Sequence, residues 1–262
     1  MSTDSVTSRD GTPIAYTRAG AGPAVVLVGG GLDDGAENAP LGAALARSFT
    51  VVNYARRGRA PSGDTAPYAV EREIDDLAAL LAVVDGPAHL FGASSGGALA
   101  LTAAAAGLPV GRVAVYEVPY FTDAGLRAAW ASYVDELTAL LAAGRPDEAL
   151  AAFMRVAGSG PDDIAAARAA PVWPSLVTLA PTLAYDAACL GDGSVPAERL
   201  AAIRQPVLVA TGADAEGLTF FHSAADALVA ALPHGTRAVL SRPGHVADPE
   251  ILAPVLRDFY VS

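Results

Sequence analysis

Phe91-Gly92-Ala93-Ser94-Ser95-Gly96-Gly97 is the stretch on which the reading of this chain turns. It contains G-x-S-x-G, and its surroundings give that pattern meaning. His89-Leu90-Phe91 before it is a short apolar run of strand character, and Gly96 to Ala106 after it reads as a helix. A strand that turns straight into a helix needs small neighbours at the turn. It leaves Ser94 strained, with its hydroxyl exposed above the sheet. Ser95 then offers its N–H at a helix N-terminus. The plain alternative is a Gly- and Ser-rich turn with no chemistry, since bare G-x-S-x-G is common by chance. The strand–turn–helix setting favours a nucleophile.

On the N-terminal side, Val6 to Arg18 predicts a β-hairpin around Asp10-Gly11. Val25-Val26-Leu27-Val28 is a continuous apolar run, the mark of a strand buried on both faces. Leu41 to Arg47 predicts a short helix, Thr50 to Tyr54 a strand, and Arg56 to Gly63 a loop. Glu71 to Val84 places Ile74, Leu77, Leu80, Leu81 and Val84 on one helical stripe. On the C-terminal side Val113 to Tyr116 predicts another strand. The alternation of two-sided strands with helices means a mostly parallel sheet covered by helices on both faces. That rhythm stops at Val118-Pro119. From Thr122 to Leu190 only helical patterns occur: Leu126–Ala142, Pro146–Val156, Asp162–Ala169 and a proline-punctuated stretch from Pro171 to Asp186. It resumes with Pro206–Ala210 and Ala238–Ser241 as strands, and Ser223–Ala231 and Pro249–Tyr260 as helices. The expected division is an α/β core formed by 1–120 and 191–262, with 121–190 inserted as a helical cap.

Composition excludes several functions. The 262 residues carry 17 basic and 28 acidic side chains, a net charge of −11. A phosphate-tracking surface needs the opposite sign, so neither nucleic acid nor an acidic membrane is expected as a partner. All the basic residues are arginine, which removes Schiff-base and phosphate-loop lysines. Cys189 is the only cysteine, so no thiolate cluster for a metal is expected. Met1–Asp10 is polar without an apolar core, and no apolar stretch approaches the length of a membrane span. A cytoplasmic protein is the expectation, with a homodimer left open.

With these motifs in order, the chain resembles an α/β-hydrolase over nearly its whole length. Within that superfamily it is similar to small bacterial hydrolases with a Tyr-Glu-x-Pro segment after the sixth strand, here Tyr116-Glu117-Val118-Pro119. The Gly29-Gly30-Gly31 loop follows the third strand, Arg56-Arg57-Gly58-Arg59 the fourth, the Ser94 turn the fifth, and Gly244-His245 precedes the last helix. The resemblance implies an α/β-hydrolase fold and a catalytic triad. Ser94 would be its nucleophile and His245, in the loop after the last strand, its base. His89, His222 and His234 sit in a strand, a helix start and a turn, where a structural role suffices.

Two carboxylates compete for the third place. Asp214 follows the Val207–Ala210 strand, where the acid most often lies, but one residue earlier than the usual G-x-x-D spacing. Glu117 ends the Val113–Tyr116 strand, where some superfamily members, certain haloalkane dehalogenases among them, take their acid. Either topology serves, since the requirement is a carboxylate that fixes the imidazole tautomer. Glu117 is favoured, because an unpaired charge beside Val118-Pro119-Tyr120 would be costly.

Backbone N–H groups of Ser95 and Gly31, with Gly30 the next candidate, would form the oxyanion hole. Gly29 stands where relatives often have histidine, and Ala55 where they often have aspartate. A dinucleotide loop is excluded, since Asp34 occupies the place of the third glycine in G-x-G-x-x-G. Arg56, Arg57 and Arg59 are expected in a solvated loop paired with nearby acids, with anion binding as the alternative. Trp130, Tyr133, Phe153, Trp173 and Tyr185 are spaced as the core of a helical layer, some of them facing the pocket.

The leading expectation is a hydrolase without cofactor or metal, acting through an acyl-enzyme on Ser94 upon a small, largely apolar ester, thioester or lactone. The same site is compatible with C–C hydrolysis, perhydrolysis or a biosynthetic cyclisation. A ligand receptor with an idle triad is the reading from another class.

Overall fold

A computed structural model describes residues 3–214 and 219–262. Eight strands form one sheet in the order β1-β2-β4-β3-β5-β6-β7-β8. They are β1 (Thr3–Thr7), β2 (Pro13–Ala19), β3 (Ala24–Val28), β4 (Thr50–Tyr54), β5 (Ala88–Ala93), β6 (Val110–Tyr116), β7 (Val207–Thr211) and β8 (Gly235–Val239). β1 and β2 form the expected hairpin and β2 lies antiparallel on β4, while every pairing from β4 to β8 is parallel. Gly11 takes φ +88° in the hairpin turn, a conformation that glycine adopts without steric cost.

The central strands are apolar on both faces because two separate cores need them. Val26 and Val28 point into one core with Leu90, Val113 and Val115, and Val25 and Leu27 into the other with Phe91 and Ala114. This is the two-residue period of a pleated strand. Helices α1 (Ala39–Leu45) and α11 (Pro249–Val261) cover the second core through Leu41, Leu45, Leu252 and Leu256. Helices α2 (Val70–Leu81) and α3 (Ser95–Ala105) cover the first, joined by the short α9 (Ala197–Leu200) and by α10 (Phe220–Ala231).

Between β6 and β7 the chain is helical, in α4 (Ala124–Ala142), α5 (Pro146–Val156), α6 (Pro161–Ala169), α7 (Trp173–Leu179) and α8 (Leu183–Leu190). A 3₁₀ turn at Ala180–Thr182 links α7 to α8. Asp123 caps α4 by accepting from Leu126 N, satisfying one of the free N–H groups at that end. Leu137, Leu140 and Leu150 of this layer join the first core, so the insertion packs onto the sheet's helices.

Two expectations need correction. The last strand is Gly235–Val239, three residues ahead of Ala238–Ser241. β8 is an edge strand with a single neighbour, pairing from Val207↔Gly235 to Thr211↔Val239, so its half-exposed residues carry no apolar run to mark it. The arginine loop is not solvated either. Arg56, Arg57 and Arg59 are among the largest fully buried side chains of the chain, for the reason given below.

Candidate active site

Ser94 sits at the junction of β5 and α3 with φ 53° and ψ −127°, outside the regions ordinary residues occupy. The glycines on either side make the turn passable. A Cβ on Gly92 would run into the Gly96 carbonyl, and one on Gly96 would strike the carbonyls of Val28 and Gly29. The Ser94 N–H is held by Tyr116 O at 2.9 Å, which ties the turn to β6.

Glu117 follows directly on β6 and is also left-handed, at φ 46°. Strain of this kind persists only where surrounding bonds enforce it. Its N–H donates to Ala210 O at 3.0 Å, its Oε1 accepts from Gly212 N at 2.9 Å, and its Oε2 lies 2.9 Å from His245 Nδ1. Glu117 is 3% exposed and His245 43%. With a carboxylate on Nδ1, that nitrogen carries the proton and Nε2 presents a lone pair. The Phe221 ring stacks on the imidazole at 4.9 Å and 15°.

The structure therefore brings Glu117, and not Asp214, to His245. Asp214 is 83% exposed and lies 3.0 Å from His222 Nε2. Arg237 Nη2 stands 3.1 Å from the other nitrogen of that ring. The shortened loop Gly212-Ala213-Asp214 explains the separation. Its first N–H is already spent on Glu117 Oε1, and Ala213 N is bonded to Arg242 O at 3.0 Å, so Asp214 is carried past the imidazole.

Ser94, Ser95, Gly31 and His245 all line one cavity of about 420 Å³. Of the aromatics singled out in the sequence, Trp130, Tyr133 and Phe153 face it. Trp173 is instead packed in the insertion with its Nε1 on Asp147 at 2.6 Å, and Tyr185 stacks on Tyr68 at 3.8 Å. Leu126, Leu183 and Leu190 complete a largely apolar wall. The N–H groups of Ser95 and Gly31 donate to no protein acceptor among the described residues. The Gly30 carbonyl is turned to Arg59.

Beneath this floor lies an ionic cluster that sequence reasoning missed. Arg56 forks onto Glu73 at 2.6 and 2.7 Å and reaches Asp186 at 2.6 Å. Arg57 pairs with Asp76 at 2.7 and 2.8 Å and with Asp10 at 2.9 Å. Arg59 meets both oxygens of Asp186 at 2.8 Å. Burial alone would raise the Asp186 carboxyl, but Arg59 and Arg56 hold it below its ordinary range. Three buried guanidinium groups are tolerated because each finds carboxylate partners. The anion-binding alternative for them fails with the solvated one, since no arginine of the three is accessible.

The signal for Asp186 was present in Leu183-Ala184-Tyr185-Asp186-Ala187-Ala188-Cys189-Leu190. A lone acid in an apolar helix is seldom unpaired. Tyr116 was also missed. Its hydroxyl donates to Gly244 O and so holds the loop that carries His245; burial and the nearby Glu117 raise its pKa, which keeps it a neutral donor. Among the described residues no group of three or more His, Cys, Asp or Glu is placed to hold a metal ion, and no helix is long and apolar enough to cross a membrane.

Residues 24–255 match the model of the alpha/beta hydrolase family. The chain belongs to that family. Its structure is similar to that of an alpha/beta hydrolase from Sphaerobacter thermophilus DSM 20745, with 44% identity, a TM-score of 0.88, and coverage of 98% of this chain and 100% of that one. The esterase RhEst1 from Rhodococcus sp. ECU1013 shares the fold at 22% identity and a TM-score of 0.71, over 100% and 99% of the two chains. An uncharacterized hydrolase of Bacillus subtilis (strain 168), YraK, is 39% identical over 95 residues, 35% of each chain. That match spans about a third of the relative's length. Membership of the family accounts for the mostly parallel eight-stranded sheet with helices on both faces.

Proposed function

We propose that this α/β-hydrolase cleaves small, neutral, largely apolar carboxylic esters, thioesters or lactones through an acyl-enzyme on Ser94. The observation that carries the reading is the chain of contacts from Gly212 N through Glu117 to His245 Nδ1, both at 2.9 Å, on the wall of the cavity that Ser94 lines. His245 takes the Ser94 proton as the hydroxyl attacks the acyl carbon, and Glu117 stabilises the imidazolium. The N–H groups of Ser95 and Gly31 hold the oxygen on which charge develops. His245 then returns the proton to the leaving alcohol or thiol, and a water activated by the same imidazole releases the acid.

Neutral substrates follow from the charge balance of the wall. Among the described residues Asp186 is the acid lining the cavity, and it is committed to two arginines, which are themselves inaccessible. The helical insertion is the substrate's lid, placing Trp130, Tyr133 and Phe153 against an apolar acyl or alcohol group. A panel of p-nitrophenyl esters with neutral and carboxylate-bearing acyl chains tests this. The reading requires turnover of the neutral short-chain esters by the wild type, its loss in Ser94→Ala, and poor kcat/KM for the carboxylate series. Equal turnover by Ser94→Ala would refute it.

A further inference from the structure

The Gly30–Gly31 peptide has two ends, and the structure uses both. Among the described residues the cis bonds are Ala60-Pro61 and Ala66-Pro67, so this one is trans and its C=O and N–H point to opposite sides. The carbonyl end accepts from Arg59 Nη1, which also donates to Asp33 O at 2.8 Å. The Gly31 N–H therefore points away from Arg59. It donates to no described protein group, and Gly31 lines the cavity with Ser94.

Arg59 is itself held on every side. Its Nη2 meets both Asp186 oxygens at 2.8 Å and its Nε donates to Thr182 Oγ1 at 3.2 Å. Asp186 Oδ1 also accepts from Ser95 Oγ at 2.7 Å and from Arg56 Nη1, which reaches Gly29 O at 3.3 Å. One carboxylate from α8 thus joins the residue that supplies one oxyanion donor to the arginine that sets the peptide carrying the other. Stability alone is a weak explanation, since buried ion pairs are often replaceable by apolar residues without loss. Substrate binding is none, since Arg59 is fully buried.

We propose that Arg59 is a positioning residue for the oxyanion hole: it fixes the Gly30–Gly31 peptide so that the Gly31 N–H meets the developing oxyanion, and Asp186 of the helical insertion keeps Arg59 in place. A cation on the carbonyl end also polarises the peptide and strengthens its N–H as a donor. The insertion is by this route part of the catalytic apparatus as well as a cover. The proposal rests on the acyl-enzyme reading above.

The test compares wild type, Arg59→Lys and Thr182→Val. Arg59→Lys keeps a charge for Asp186 but loses the planar fork; Thr182→Val removes the Nε anchor and the hydroxyl's own bond to Leu179 O, and leaves the Arg59–Asp186 pair in place. The readouts are kcat and KM on a p-nitrophenyl ester, and the Ki values of a trifluoromethyl ketone and of the matching secondary alcohol. The ketone forms an oxyanion on Ser94 and the alcohol does not. Removing an oxyanion donor outright costs about 10²–10³ in kcat, so misaiming it in Arg59→Lys is expected to cost about ten- to a hundredfold, with KM within about twofold. Thr182→Val is expected to lose about three- to tenfold. The ketone must weaken in parallel with kcat/KM while alcohol binding stays constant, a split that a purely structural role would not produce. Should Arg59→Lys fail to fold, Thr182→Val decides alone. Unchanged kcat in the folded variants, or equal weakening of ketone and alcohol, overturns the proposal. A wild type that turns over the ester but forms no covalent fluorophosphonate adduct on Ser94 overturns the underlying reading and the proposal with it; a labelled wild type with unaltered variants overturns only the proposal.

Discussion

Glu117→Gln separates the roles of the two carboxylates, and its effect follows from two hydrogen bonds. Glu117 accepts from Gly212 N on one oxygen and from His245 Nδ1 on the other, each at 2.9 Å. Glutamine has one acceptor oxygen and one NH₂. If its oxygen stays with Gly212, the NH₂ faces Nδ1. The imidazole must then accept there and carry its proton on Nε2, where it cannot take one from Ser94. That wrong tautomer is worth about 10⁴ in kcat, or about 5 kcal/mol, in the serine-protease template. If the amide turns over, its NH₂ opposes the buried Gly212 N–H, which costs about 1–3 kcal/mol and still leaves the imidazolium without a counter-charge. Asp214→Asn removes only an exposed partner of His222 and is expected to stay within about threefold of wild type. Steady-state kcat on a p-nitrophenyl ester and thermal melting of both variants decide the matter. Loss of turnover in Asp214→Asn with near-normal kcat in Glu117→Gln would refute the reasoning. So would a Glu117→Gln variant that is destabilised but fully active.

Other consequences concern the floor and its supports. Asp186→Asn leaves buried arginines short of a counter-charge and is expected to destabilise by about 3–5 kcal/mol, or about 10 °C in Tm at this chain length. Because Arg59 and Arg56 lower the folded-state pKa of Asp186, its contribution is full above the ordinary aspartate pKa and is lost as pH falls through the lowered value. The Tm gap between wild type and variant should therefore be widest near pH 7 and narrow below about pH 4; a gap that grows in acid would contradict the assignment. Burial raises the Cys189 thiol to about 12, so a disulfide reagent at pH 8 should modify it only after unfolding, and stoichiometric reaction of the native protein within minutes would argue otherwise. Gly96→Ala, whose methyl meets the carbonyls of Val28 and Gly29, is expected to cost about 1–3 kcal/mol in denaturant unfolding and to depress kcat as the turn shifts.

What was legible in the sequence was whatever local pattern determines. Val25–Val28 announced a two-sided strand because both cores demand apolar residues there. The Ser94 turn was legible because Gly92 and Gly96 answer a steric need within a few residues. β8 was misplaced because an edge strand with one neighbour writes a weaker pattern. The arginine loop misled for a different reason: Gly, Pro and Ser around Arg56–Gly63 signal irregular backbone, and irregular backbone is usually exposed. Its burial depends on Glu73, Asp76 and Asp186, which are distant in sequence and meet only in three dimensions. The choice between Glu117 and Asp214 had the same character, since loop length and strand register decide which carboxylate reaches the imidazole.

A covalent acyl intermediate on Ser94 is tested by labelling with a fluorophosphonate followed by peptide mass spectrometry. One adduct per chain is expected, on the peptide containing Ser94, absent from Ser94→Ala and strongly slowed in His245→Ala. A wild-type protein that hydrolyses esters yet stays unlabelled, or that carries its label on any other residue, would contradict it.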